Sequence, residues 1–129
     1  MIVSPRLARF ARIALVVAAL GAFALAILPT APGPESMNDK VNHAFAFFVL
    51  SGLAYAGWPK AGAVRIFALL TAFGGLIEIV QGLDLIGRDA DIYDLFADIV
   101  GIVIGLVTAR LVLRFAPELT EELREKLSD

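Results

Sequence analysis

The chain has 129 residues and a mass of 13.8 kDa; 59% of its residues are hydrophobic, 19% are charged, its mean hydropathy is +0.81, and it has no cysteine. A water-soluble domain carries roughly 45–50% apolar residues, and so short a chain has too little interior to hide the surplus. That excludes a soluble globular enzyme, and it excludes disorder, which needs low hydrophobicity and high net charge. The missing cysteines remove disulfides, thiolate metal sites and Cys nucleophiles, and a net charge of −2 argues against nucleic acid as a partner.

Four apolar stretches come close to the roughly 20 residues that a membrane-spanning helix needs. They are residues 10–28, 42–58, 64–83 and 95–113, the second with a polar start. The breaks between them are Pro29-Thr-Ala-Pro-Gly-Pro34, Pro59-Lys-Ala-Gly-Ala63 and a charged loop over residues 84–94. Proline and glycine clusters are the expected punctuation. The predicted fold is therefore all-α: a transmembrane bundle of four helices over residues 1–116. A short amphipathic tail, 117–129, follows. In it Pro117 suits a first helical turn, and Leu119, Leu123 and Leu127 recur every four residues.

Basic residues set the orientation, because cytoplasmic flanks carry excess Lys and Arg. Arg6, Arg9 and Arg12 precede the first span, Lys60 and Arg65 lie between the second and third, and Arg110, Arg114, Arg124 and Lys126 end the chain. These are nine of the eleven basic residues; Lys40 and Arg88 fall on the other side. Both termini are expected in the cytoplasm, with the chain in a bacterial inner membrane. The first 28 residues also fit a secretory signal peptide. Cleavage there would leave three spans and put the basic C-terminus outside, so retention is the expectation.

Ionisable groups inside a membrane are costly and mark function or a polar cavity. Here they gather. Asp39, Lys40 and His43 open the second helix, Glu78 and Gln81 close the third, and Arg88, Asp89, Asp91 and Asp94 fill the second outer loop. Asp98 lies one turn into the fourth helix. On the expected topology all lie toward the outer face. At about 100° per residue, Asp94, Asp98, Gly101, Gly105 and Thr108 share one face of the fourth helix. Thr71, Gly74, Glu78, Gln81 and Gly82 share one face of the third. Small residues let helix backbones approach in lipid, as in Gly101-Ile-Val-Ile-Gly105. A polar pocket in the outer leaflet is expected, lined by Asp39, His43, Glu78, Gln81, Arg88, Asp94 and Asp98.

Three chemistries suit such a pocket. Close carboxylates share protons, which can make one a general acid. Glu78, Asp94 and Asp98 with His43 offer ligands for a divalent cation. Arg88 offers a bidentate grip on phosphate or carboxylate. The bland alternatives are Arg88 pairing with Glu78, Asp91 or Asp94, and His43 bonding Asp39 at a helix start. No HExxH, P-loop or Gly-x-Ser-x-Gly motif is present, and the single histidine excludes a multi-His centre within one subunit.

Asp39-Lys-Val-Asn-His43, Gly74-Gly-Leu-Ile-Glu78-Ile-Val-Gln81, Arg88, Asp94-Leu-Phe-Ala-Asp98 and Gly101-Ile-Val-Ile-Gly105, in this order, resemble the VanZ-like family of small bacterial membrane proteins. The resemblance covers Asp39 to about Leu106. It implies site residues Asp39, Lys40, His43, Glu78, Gln81, Arg88 and Asp94, and a link to low-level resistance to the glycopeptide teicoplanin, which acts on cell-wall precursors. The family often has Asn in place of Asp98 and Tyr in the aromatic run that here holds Phe47 and Phe48.

The function expected is binding or modifying a cell-envelope component, such as a lipid-linked cell-wall precursor or a glycopeptide. Glu78, His43 and Asp94 are the candidate catalytic groups; Asp39, Lys40, Gln81, Arg88 and Asp98 are the candidate ligand-binding groups. Membrane lipid and a second copy of the chain are the other expected partners. No cofactor is expected beyond a divalent cation. The rival readings are an ion- or proton-coupled transporter or channel subunit and a non-catalytic assembly partner.

Overall fold

The second helix is the centre of the molecule, and the other three pack around it. The computed structural model describes residues 3–28, 37–83 and 89–128, with side chains from 39 in the second segment and to 117 in the third. Its elements are α1 (Pro5–Ala26), α2 (Met37–Gly57), α3 (Ala63–Gln81) and α4 (Ile92–Ser128). All four expected helices are present, and no strand occurs among the described residues. Arg88 and the Pro/Gly stretch 29–34 lie outside the described residues.

Local chemistry explains the helix ends. Ser4 caps α1 by accepting the Leu7 N–H at 3.2 Å, and Pro5 supplies a first turn that needs no N–H. α3 begins after Gly62, whose φ of 84° lies in the left-handed region open to glycine. Asp91 precedes α4, and its Oδ1 accepts the Tyr93 N–H at 2.8 Å. α4 departs from expectation at its far end. It continues through Pro117 to Ser128, so the anticipated tail is one helix with the fourth span. An interior proline removes one backbone hydrogen bond and crowds the carbonyl four residues back, yet the helix runs on through Pro117.

The side-chain contacts fix the packing directions. α2 meets α4 through Lys40–Asp94, His43–Asp98, Ala44–Gly101 and Phe48–Gly105, so these two helices run parallel. Gly74 faces Asp98 and Gly82 faces Ala90, so α3 runs antiparallel to α4. Arg12 donates from Nε to the Gly57 carbonyl at 2.7 Å, while Gln81 reaches the Ala26 carbonyl at 3.1 Å, so α1 is antiparallel to α2. The bundle alternates up and down. Every titratable residue of the cluster lies at one end, and the Arg12–Gly57 contact lies at the other, where the Arg12 guanidinium sits 5.0 Å over the Trp58 ring.

The buried centre is Phe47, Leu50, Ala54, Tyr55, Ile66, Ile77, Ile102 and Leu106. Around it the outer faces are apolar: Phe10, Val17, Leu20, Val64, Leu69, Ile79 and Phe96 are all exposed. Patches of this extent are untenable in water and ordinary against lipid. Helix α1 buries only Ala11. Among the described residues, three helices are long and apolar enough to cross a membrane: Pro5–Ala26, Ala63–Gln81 and Ile92–Pro117. Four were expected. α2 falls short because Asp39, Lys40, Asn42 and His43 occupy its first turns.

Candidate functional site

Two glycines set the register that builds the site. A Cβ on Gly101 would collide with the Ala44 carbonyl, and one on Gly105 with Ser51 Oγ and the Phe48 carbonyl. Backbone contact at these two levels draws the start of α4 against the start of α2. A third glycine does the same for α3, where a Cβ on Gly74 would lie 2.7 Å from Asp98 Oδ2. The carboxylates of α3 and α4 and the imidazole of α2 are thereby brought together.

The polar groups form a continuous chain. Asp98 is fully buried, and its Oδ1 lies 2.8 Å from His43 Nδ1. The other ring nitrogen, Nε2, is 3.7 Å from Asp94 Oδ2. Lys40 Nζ donates to Asp94 Oδ1 at 3.0 Å and to Asp91 Oδ2 at 2.9 Å. The backbone N–H of Asp91 donates to Glu78 Oε2 at 2.9 Å. Glu78, Gln81, Asp94 and Asp98 are all buried. The hydrogen bond from Lys40, seconded by the Tyr93 N–H, holds the exposed Asp91 carboxyl below its ordinary value of 3.8.

Four buried polar atoms have no hydrogen-bond partner among the described residues: Thr71 Oγ1, Glu78 Oε1, Gln81 Oε1 and Asp98 Oδ2. Three of the four belong to the cluster. A buried group left unpaired costs about 1–3 kcal/mol, more when charged, so their concentration at one end of the bundle is informative.

Beside the chain lies a cavity of about 460 Å³. Ala22, Leu25 and Ala26 wall it from α1, Leu28 from just past its end, and Ala46, Phe47 and Ile77 from α2 and α3. Asp39, Asn42, His43 and Gln81 are its polar residues. The volume lies within the range of small-molecule sites.

Of the sequence-derived candidates, the structure brings together Lys40, His43, Glu78, Asp94 and Asp98. Asp39 lies near His43 and Asp94, and Gln81 ties α3 to α1 at the same end. Arg88 lies outside the described residues, and neither its pairing nor its anion grip is placed. Two residues expected on the shared faces are exposed: Thr108, and Gly82, which sits at the rim beside Ala90. The residue that sequence reasoning left out of the site is Asp91, which bonds Lys40 and lends its N–H to Glu78. Its position as an acidic cap three residues before Asp94 was the available sign.

The chain is 33% identical over 90 residues to YwnJ, an uncharacterized membrane protein of Bacillus subtilis (strain 168). The aligned part covers 69% of this chain and 61% of the relative's length. The chain is a membrane protein. No family model matches it, and no solved structure matches it.

Proposed function

We propose that this protein binds a lipid-linked component of the bacterial cell envelope, holding the polar head at the His43 cluster and the apolar chain against α1. The observation that carries this reading is the adjacency of two unlike surfaces. One is a cavity with apolar walls from α1, and the other is the chain of buried acids that meets the cavity through His43, which lines it and bonds Asp98. An amphiphile matches that division, and a small polar solute matches only half of it. The resemblance to VanZ-like proteins agrees with an envelope ligand. His43, Glu78 and Asp94 are the groups available for proton transfer if the bound molecule is also modified.

In this reading α2 is a fourth crossing. Its 21 residues extend about 31 Å at 1.5 Å per residue, and α4 supplies partners for its Lys40 and His43. Four crossings put both termini on one side, and the basic flanks make that side the cytoplasm. The cluster then lies in the outer leaflet. The transporter reading needs polar groups through the full depth. Beyond the cluster, the buried polar side-chain groups among the described residues are those of Ser51, Tyr55 and Thr71, and Ser51 already donates to the Phe48 carbonyl.

The test is mass spectrometry of lipid carried through purification in mild detergent. Wild type should retain an envelope lipid. Ala46→Phe, which fills the cavity, and Glu78→Gln should each lose most of it. Equal lipid content in wild type and both variants would end the proposal.

A further inference from the structure

We infer that His43, Glu78 and Asp98 form a binding site for a first-row divalent cation such as Zn²⁺ or Mn²⁺. One ligand atom from each residue lies within 4.8 Å of the other two. The three come from α2, α3 and α4, so an ion here would pin three helices at one point.

Two independent observations mark the site. First, Asp98 is fully buried and Glu78 is 8% exposed, yet each has a buried oxygen, Asp98 Oδ2 and Glu78 Oε1, without a hydrogen-bond partner among the described residues. Two carboxylates taken out of water are held as anions only by compensating positive charge, and are otherwise protonated. Lys40 is engaged with Asp91 and Asp94, so among the described residues His43 is the remaining cationic group beside the two acids. A divalent cation balances them. Second, no side chain at position 74 of α3 covers one of those orphan oxygens. Position 74 is glycine, where any Cβ would lie 2.7 Å from Asp98 Oδ2.

The 2.8 Å separation of His43 Nδ1 and Asp98 Oδ1 suits neighbouring ligands, since bonds of about 2.0–2.2 Å bring adjacent donors to about 3 Å. One imidazole and two carboxylates are a donor set for first-row metals; calcium takes six to eight oxygens. A second triad, Asp39, His43 and Asp94, also satisfies the distance. It is the poorer site, because the Lys40 ammonium lies 3.0 Å from Asp94 Oδ1 and would repel the ion.

The inference deepens the reading of the same site, and it rests on the convergence of side chains that the envelope-ligand proposal also uses. Its readout needs no lipid. Full-length protein in detergent, stripped with a chelator, is loaded with Zn²⁺ and passed over a desalting column, and retained metal is measured by mass spectrometry. Wild type should keep about one ion per chain at saturation. Loss of an outer-shell partner alone weakens metal sites about 10–100-fold, so Glu78→Gln and Asp98→Asn should weaken binding at least about tenfold. Ala46→Phe should bind as wild type, and so should Gly52→Ala, where an added Cβ meets no atom within 4 Å. Because the variants can fail to fold, Co²⁺ is added to the wild type as well, where an absorption band removed by excess Zn²⁺ is expected. Folded wild type that retains no Zn²⁺ and shows no such band overturns the site. So does undiminished binding by folded Glu78→Gln and Asp98→Asn. Zn²⁺ retention in an Ala46→Phe protein that has lost its lipid would separate the two proposals.

Discussion

Gly101→Val and Gly105→Val proteins should lose the α2–α4 interface, each with a destabilisation of at least about 3 kcal/mol. Overpacking a core usually costs 1–3 kcal/mol because side chains can yield. Here the opposing atoms are the Ala44 and Phe48 carbonyls of α2, and backbone yields only by moving a helix. In lipid the loss is compounded, since close backbone approach is what holds such helices together. The expected readout is sharply reduced folded yield by size-exclusion chromatography and a lowered thermal midpoint by circular dichroism. Gly52→Ala is the matched control. It lies on α2 with no atom within 4 Å of a built Cβ, and it should be neutral or slightly stabilising, because alanine is the better helix former. Similar damage from Gly52→Ala would mean that glycine content, not interface geometry, matters.

His43→Ala should destabilise the protein by about 3–5 kcal/mol, because it strands Asp98 as a buried carboxylate without its partner. Asp98 is fully buried and its second oxygen already has no hydrogen-bond partner among the described residues, so little else can take over. Removing the acid as well should restore part of the loss. In a double-mutant cycle, His43→Ala with Asp98→Ala should show a coupling of about 1–3 kcal/mol, as expected for residues in direct contact. Additive effects would mean that the histidine and the acid do not meet. Replacing Lys40 by alanine should cost less: its pair with Asp91 is substantially exposed and exposed pairs contribute about 0–1 kcal/mol, while buried Asp94, its other partner, keeps His43 Nε2 at 3.7 Å.

The existence and order of the helices were legible because apolar length and proline or glycine breaks are properties of single segments. Their far ends were less so. Pro117 serves equally at the first turn of a new helix and inside one that continues, and the surrounding residues are helix formers in both cases. Helical spacing also predicted which side chains share a face: Asp94, Asp98, Gly101 and Gly105 are all buried together. It could not say where the face ends, and Thr108 lies beyond the buried part. The partner of His43 was not legible. Asp39 is four residues away on the same helix, and only the α2–α4 register, fixed by backbone contact at Gly101 and Gly105, makes Asp98 the nearer acid. The apolar wall of the cavity was equally hidden, since α1 contributes only alanine and leucine to it.

The account depends on His43 meeting an acid from a different helix inside the bundle. The chain has one histidine, so its ring nitrogens give one unambiguous set of signals in solid-state NMR of protein in lipid bilayers. A nitrogen–carbon distance measurement on labelled protein should find a carboxyl carbon within about 4 Å of Nδ1, as a contact of this length requires, and that carbon should take an amide shift in Asp98→Asn. A His43 ring with no carboxyl carbon in range, in folded protein, would contradict the convergence on which the proposed function and the cation site both stand.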